Sequence, residues 1–153
     1  MKNNHPTRLA DRLHSTAIHL LRGLRPQDER TGISARRLSA LSVIAFAGPI
    51  SLSNLAEAEQ VSLPVTSRMM KDMEYEGLVE RIPDPDDRRS ARIQITSRGQ
   101  ALFDQARQQR IQAIADKLAA LESNQIELLE EVLPILEQIT LPPNHPHLTS
   151  QSE

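Results

Sequence analysis

Two stretches of the chain gather side chains able to act on a polar or anionic partner. The first is Ser62-Leu63-Pro64-Val65-Thr66-Ser67-Arg68, with Lys71 three residues on. Short hydroxyls beside the free amides of a helix start can meet phosphate oxygens, and an arginine there can span the major-groove edge of guanine. The second is Asp84-Pro85-Asp86-Asp87-Arg88-Arg89-Ser90-Ala91-Arg92, which packs three acids and three arginines around a turn. Taken alone, the first stretch reads better as a helix cap with a solvated face. The second reads equally well as an exposed, charge-balanced loop.

Other chemistries lack their parts. The chain has no cysteine, which removes disulfides, thiolate metal sites, thiol catalysis and thiol redox sensing. His14 and His19 stand five residues apart, off a common helical face, while His145 and His147 sit in a proline-broken tail. No glycine-rich loop or nucleophile elbow presents a serine, so no enzyme, metal or cofactor is expected. Met69, Met70 and Met73 read as packing rather than an oxidation switch, because positions 69 and 73 follow the core-facing period. Aromatic residues are 2% of the chain (Phe46, Tyr75 and Phe103), so the core is aliphatic and stacking platforms for single-stranded nucleic acid are missing.

The elements that must carry these stretches are mostly helical. Leu9, Leu13, Ala17, Leu20, Leu21 and Leu24 recur at three- and four-residue spacing and predict an amphipathic helix over 8–24. A loop with Pro26 and Gly32 follows. Ser34 then caps a helix whose apolar face is Leu38, Leu41, Ile44 and Ala45, stopped by Gly48-Pro49. After a short bridge strand, Ser53 opens a brief helix holding Leu55 and Ala56, and Ser62 opens the next, which ends at Gly77. Residues 78–82 and 91–95 alternate with period two around the charged turn and predict a hairpin. Thr96 or Ser97 caps a long helix. A last helix from about Ser123 is expected to bury Ile126, Leu129, Val132, Leu133, Leu136 and Ile139, with Pro134 kinking or breaking it. The expected fold is mainly α with a small β hairpin.

Short helix, turn, helix and hairpin in that order is the plan of a winged helix–turn–helix lobe. The residues sharpen the match. Ser53-Asn54-Leu55-Ala56-Glu57, Val61 to Arg68, Glu74 to Arg81 and above all Asp87-Arg88-Arg89-Ser90-Ala91-Arg92-Ile93-Gln94-Ile95-Thr96 resemble the MarR family of bacterial transcription regulators. The last of these is similar to the family's wing signature, with Ile95 where the family has Leu. The close match covers about residues 50–99, and the helix order extends it to 8–139.

The resemblance implies a sequence-specific, homodimeric regulator of double-stranded DNA, most simply a cytoplasmic repressor that leaves a pseudo-palindromic operator when a small aromatic or anionic effector binds. It implies DNA contact by Ser62, Val65, Thr66, Ser67, Arg68, Lys71, Arg88, Arg89 and Ser90, with Asp87 orienting the wing arginine Arg89. An effector pocket in this chain would be aliphatic, built from Leu13, Ala17, Leu38, Leu41 and Phe46. The domain plan that goes with it is a tail over 1–7, a dimerisation helix and loop over 8–32, a DNA-binding lobe over 33–99, dimer-forming long helices over 97–140 and a tail over 141–153. Leucine-rich outer helices fit that plan, since so much apolar surface needs a partner. No apolar run is of membrane-spanning length, and no membrane partner is expected.

Charge follows the same polarity. Residues 1–40 hold eight Lys/Arg against three Asp/Glu, whereas residues 99–153 hold three against eight. Arg22, Arg25, Arg36 and Arg37 supply much of the N-terminal surplus and either clamp flanking phosphates, meet an anionic effector at the junction between lobes, or merely solvate helix ends. A winged helix serving as a protein-interaction module is the competing reading, separated from DNA binding by salt dependence.

Overall fold

The computed structural model of the chain describes residues 5–87 and 90–140. Seven helices and three strands follow in order among them: α1 (His5–Gly23), α2 (Arg25–Thr31), α3 (Ala35–Ala47), β1 (Ile50–Ser51), α4 (Leu52–Ala58), α5 (Leu63–Tyr75), β2 (Val79–Pro83), β3 (Ala91–Ile95), α6 (Ser97–Leu118) and α7 (Ser123–Thr140). Two structural units divide at Ala113 and Ile114.

Within the first unit, the core is the meeting of α3, α4, α5, the sheet and the start of α6. Ile33, Leu41, Ile44, Leu55, Met70, Met73 and Ile93 are fully enclosed there. Met69, Met70 and Met73 all face this core, so packing is their role; three flexible thioethers fill the irregular space left by short aliphatic neighbours. Phe46 and Phe103 meet edge to face with ring centroids 5.9 Å apart, though Phe46 keeps an exposed side.

The expected loop after α1 is instead a two-turn helix. Pro26 sits in its first turn, where a missing amide costs nothing, Asp28 lies near the positive end of the dipole, and Gly32 closes it in the left-handed region at φ 70°. The cap of α4 is likewise Ser51 rather than Ser53. Ser51 Oγ accepts from the Asn54 amide at 3.2 Å, because β1 ends one residue before the helix begins. Ser34 caps α3 as expected, accepting from Arg37 N at 3.4 Å.

Gly77 ends α5 through a paired-bond stop. Leu78 N donates to Met73 O and Gly77 N to Glu74 O, both at 2.9 Å, with Gly77 at φ 71°. That turn feeds β2 directly. The sheet is antiparallel in the order β1-β3-β2, with Arg81 opposite Ile93, Ile82 opposite Arg92 and Ile50 opposite Ile93 on the other side. The hairpin is therefore the expected one, enlarged by β1 as a third strand.

Thr96 joins the sheet to α6. Its hydroxyl lies 2.7 Å from Gly77 O and 3.1 Å from Leu78 O and accepts from Gly99 N at 3.0 Å, capping the helix. Gly99 lets α6 come that close, since a Cβ there would stand 1.9 Å from Leu78 O.

In the second unit, α7 runs without a break through Pro134. The carbonyl of Glu130, one turn back, gets no amide from Pro134 and belongs to an exposed residue. The expected burial of the α7 leucine face is not seen in the single chain. Leu129, Val132, Leu133 and Ile139 are exposed and Ile126 and Leu136 half-buried among the described residues.

Candidate nucleic-acid interface

The helix α5 has two distinct sides. Thr66, Met69, Met70 and Met73 turn inward, while Pro64, Val65, Arg68, Lys71, Asp72 and Tyr75 face outward. The division follows the helical period of 100° per residue, which separates the two sets cleanly. Ser62 begins the helix without spending its hydroxyl on a side-chain cap, so that group remains available at the exposed amide end. Ser67 lies at the edge of the outward face, half-buried.

Thr66 departs from its expected place. It is completely buried and its hydroxyl donates back to Ser62 O at 3.2 Å, so it braces the first turn from inside and has no exposed atom to offer a partner. Sequence reasoning also passed over Tyr75. It is 94% exposed on the same side as Arg68 and Lys71, a large aromatic held in water for which the core has no use. Its signal was its spacing, seven residues beyond Arg68.

Beside α5 runs an open groove lined by Arg36 and Arg37 from α3 together with Val65, Arg68, Asp72 and Tyr75. Arg37 is engaged, with its guanidinium 2.6 Å from Glu76. Glu74 is engaged too, at 3.1 Å from Arg81 on β2. Among the described residues, Arg36, Arg68 and Lys71 have no acidic partner, so the cations best placed for an outside anion are those at the groove and the outward face.

The wing is pinned at its base. Arg92 on β3 reaches Asp84 at 2.9 Å and Asp86 at 3.0 Å, Asp84 Oδ1 accepts from Asp86 N at 2.9 Å, and Asp84 N donates to Ser90 O at 3.1 Å. The Arg92 guanidinium and the Asp86 amide hold the Asp84 carboxyl below its ordinary range, and Asp84 in turn raises Arg92. Two of the turn's three acids are therefore committed to one arginine, Arg92. Ser90 is exposed and its hydroxyl donates to Asp87 O at 3.0 Å. Asp87 is exposed, whereas Arg88 and Arg89 lie outside the described residues.

The expected effector residues differ in burial. Leu38 and Leu41 are core side chains, Leu13 is half-buried, and Ala17 and Phe46 are exposed. Among the described residues no cluster of three metal-ligating side chains occurs, and no helix is long and apolar enough to cross a membrane.

An outward helix with an open amide end, beside a three-stranded wing, is the geometry of a DNA-reading lobe. Comparison with known proteins agrees. Residues 33–91 match the model of the MarR family. An uncharacterised HTH-type transcriptional regulator of Mycobacterium bovis is 30% identical over 84% of this chain and 90% of its own length. The multiple antibiotic resistance protein MarR of Salmonella typhimurium is 31% identical over 67% of this chain and 74% of its own. In fold, a MarR family protein from Bacillus stearothermophilus superposes with a TM-score of 0.80, at 22% identity, over 91% of this chain and 97% of that one. The chain thus belongs to the MarR family of winged-helix transcriptional regulators, DNA-binding proteins and not enzymes.

Proposed function

We propose that this regulator is a cytoplasmic homodimer that occupies a pseudo-palindromic operator as a repressor and leaves it when a small aromatic or anionic effector binds. The observation that carries the reading is the outward face of α5, where among the described residues Arg68 and Lys71 stand without acidic partners and Ser62 makes no side-chain cap bond at the helix start. Base edges are read by Val65 and Arg68, and phosphates are held by Ser62, Ser67 and Lys71. The wing adds Arg88, Arg89 and Ser90, with Arg89 reaching the narrow minor groove and Asp87 orienting it.

The dimer is supported by unpartnered apolar rows. Leu9, Leu20 and Leu21 on α1 and Leu128, Leu129, Leu133 and Ile139 on α7 are exposed in the single chain, more apolar side chains than a monomer ordinarily leaves in water. A twofold dimer would set two copies of α5 about one helical turn of DNA apart. Release then requires only that the effector bind better to a dimer with another spacing.

Sedimentation of the full chain with a duplex carrying its selected site tests this reading. One dimer per duplex is expected, and a monomer bound to a single asymmetric site would contradict it.

A further inference from the structure

Three acids lie on α5 or at its end: Asp72, Glu74 and Glu76. Two of them are spoken for. Glu74 pairs with Arg81 and Glu76 with Arg37, and each thereby ties α5 to a neighbouring element. Asp72 has no hydrogen-bonded or ionic partner for its carboxylate among the described residues, and it is exposed. It also sits where an acid is least expected. Val65, Arg68 and Asp72 follow at three- and four-residue spacing, so they form one stripe on the outward face, and all three line the same groove.

An unpaired carboxylate on a face that approaches phosphates costs affinity unless it finds a donor. In the major groove the exposed donors are the amino groups of cytosine and adenine. Adenine presents its amino group beside the N7 acceptor, which a carboxylate, having acceptors only, does not complement. Cytosine presents the amino donor alone. We propose that Asp72 is a specificity-determining residue, accepting a hydrogen bond from the amino group of a cytosine in each half-site. The inference rests on the reading of α5 as the DNA-reading helix.

The spacing adds a positional constraint. Four helical residues separate Arg68 from Asp72, about 6 Å along the axis, which is close to the rise of about two base pairs. The half-site therefore carries a guanine for Arg68 and, about two steps from it, a cytosine for Asp72. The carboxylate also works by exclusion, since an acceptor-bearing base edge at that step repels it.

Selection from a random duplex library by the full-length protein, repeated with Asp72→Ala and Asp72→Asn, tests this. Wild type should select a motif with cytosine at the constrained step, other bases there binding about 5- to 150-fold more weakly. Asp72→Ala should accept all four bases at that step within about 2-fold while keeping the guanine preference. Asp72→Asn, whose amide both donates and accepts, should move the preference toward adenine. An Asp72→Ala motif identical to that of wild type, with affinity raised equally for every sequence, would overturn the proposal and make Asp72 a uniform electrostatic brake. If wild type selects no motif, the reading of α5 itself fails, an outcome distinct from failure of the Asp72 assignment.

Discussion

Replacing Gly99 by alanine should be among the most damaging single-methyl changes in this chain. The added Cβ would stand 1.9 Å from Leu78 O, 2.9 Å from Leu78 C and 3.0 Å from Ile95 Cγ1. Backbone atoms do not yield as a flexible side-chain tip does, so α6 must withdraw from the sheet by about 1.5 Å to bring 1.9 Å up to the 3.4 Å of an ordinary contact. That movement pulls at the bonds made by Thr96, whose hydroxyl lies 2.7 Å from Gly77 O and whose amide donates to Leu78 O at 3.1 Å. Losing two such bonds costs about 1 kcal/mol each, and overpacking adds about 1–3 kcal/mol. The better helix propensity of alanine returns at most about 1 kcal/mol. The net loss is about 2–4 kcal/mol, a large part of a stability of about 5–15 kcal/mol. Urea unfolding at one fixed protein concentration measures it. Gly23→Ala is the matched control, because a Cβ at Gly23 meets nothing within 4 Å; it should be neutral or slightly stabilising. A Gly99→Ala protein within about 0.5 kcal/mol of wild type would refute the close approach of α6 to the hairpin, and with it the way the wing is anchored.

Two further outcomes follow from the same geometry. Because Arg92 and the Asp86 amide lower the Asp84 carboxyl, the clamp's stabilisation is present at neutral pH and is lost as pH falls through the depressed value, below 3.8; a carbonyl-carbon NMR titration placing Asp84 at or above 3.8 would contradict this. Leu129→Glu changes an exposed residue of α7, so helicity should hold while light scattering reports a monomer; a variant that stays dimeric would remove that row from the interface.

Much of the lobe was legible before any coordinates. Ser34, Gly48 and Gly77 are punctuation with a physical cause, and the two period-two runs around the charged turn admit hardly any other pairing. What escaped had local signals that cut both ways. Pro26 reads as a break or as a helix start, and only the Gly32 turn decides for the two-turn helix. Ser51 and Ser53 both suit a cap, and the choice between them rests on where β1 stops pairing with β3. Thr66 shares a stripe with Met70 and Met73, so its inward place was available from periodicity, but its hydroxyl suggested a surface role. The Arg92 clamp could not be read from composition, since six charges in a turn permit many pairings and only the strand register brings Arg92 beside Asp84. The α7 row shows the reverse case: its period was right, yet among the described residues its apolar side chains are not buried.

On the proposed function, this chain grips a specific DNA sequence through α5 and the wing. The most direct measurement is fluorescence anisotropy on the duplex chosen by selection, at two salt concentrations, with Arg89→Ala beside wild type. Wild-type affinity should fall as salt rises, with a slope set by the phosphates neutralised, and Arg89→Ala should bind about 1–3 kcal/mol more weakly with its fold unchanged. Equal affinity for the selected and a scrambled duplex, insensitive to salt and to Arg89→Ala, would contradict the account.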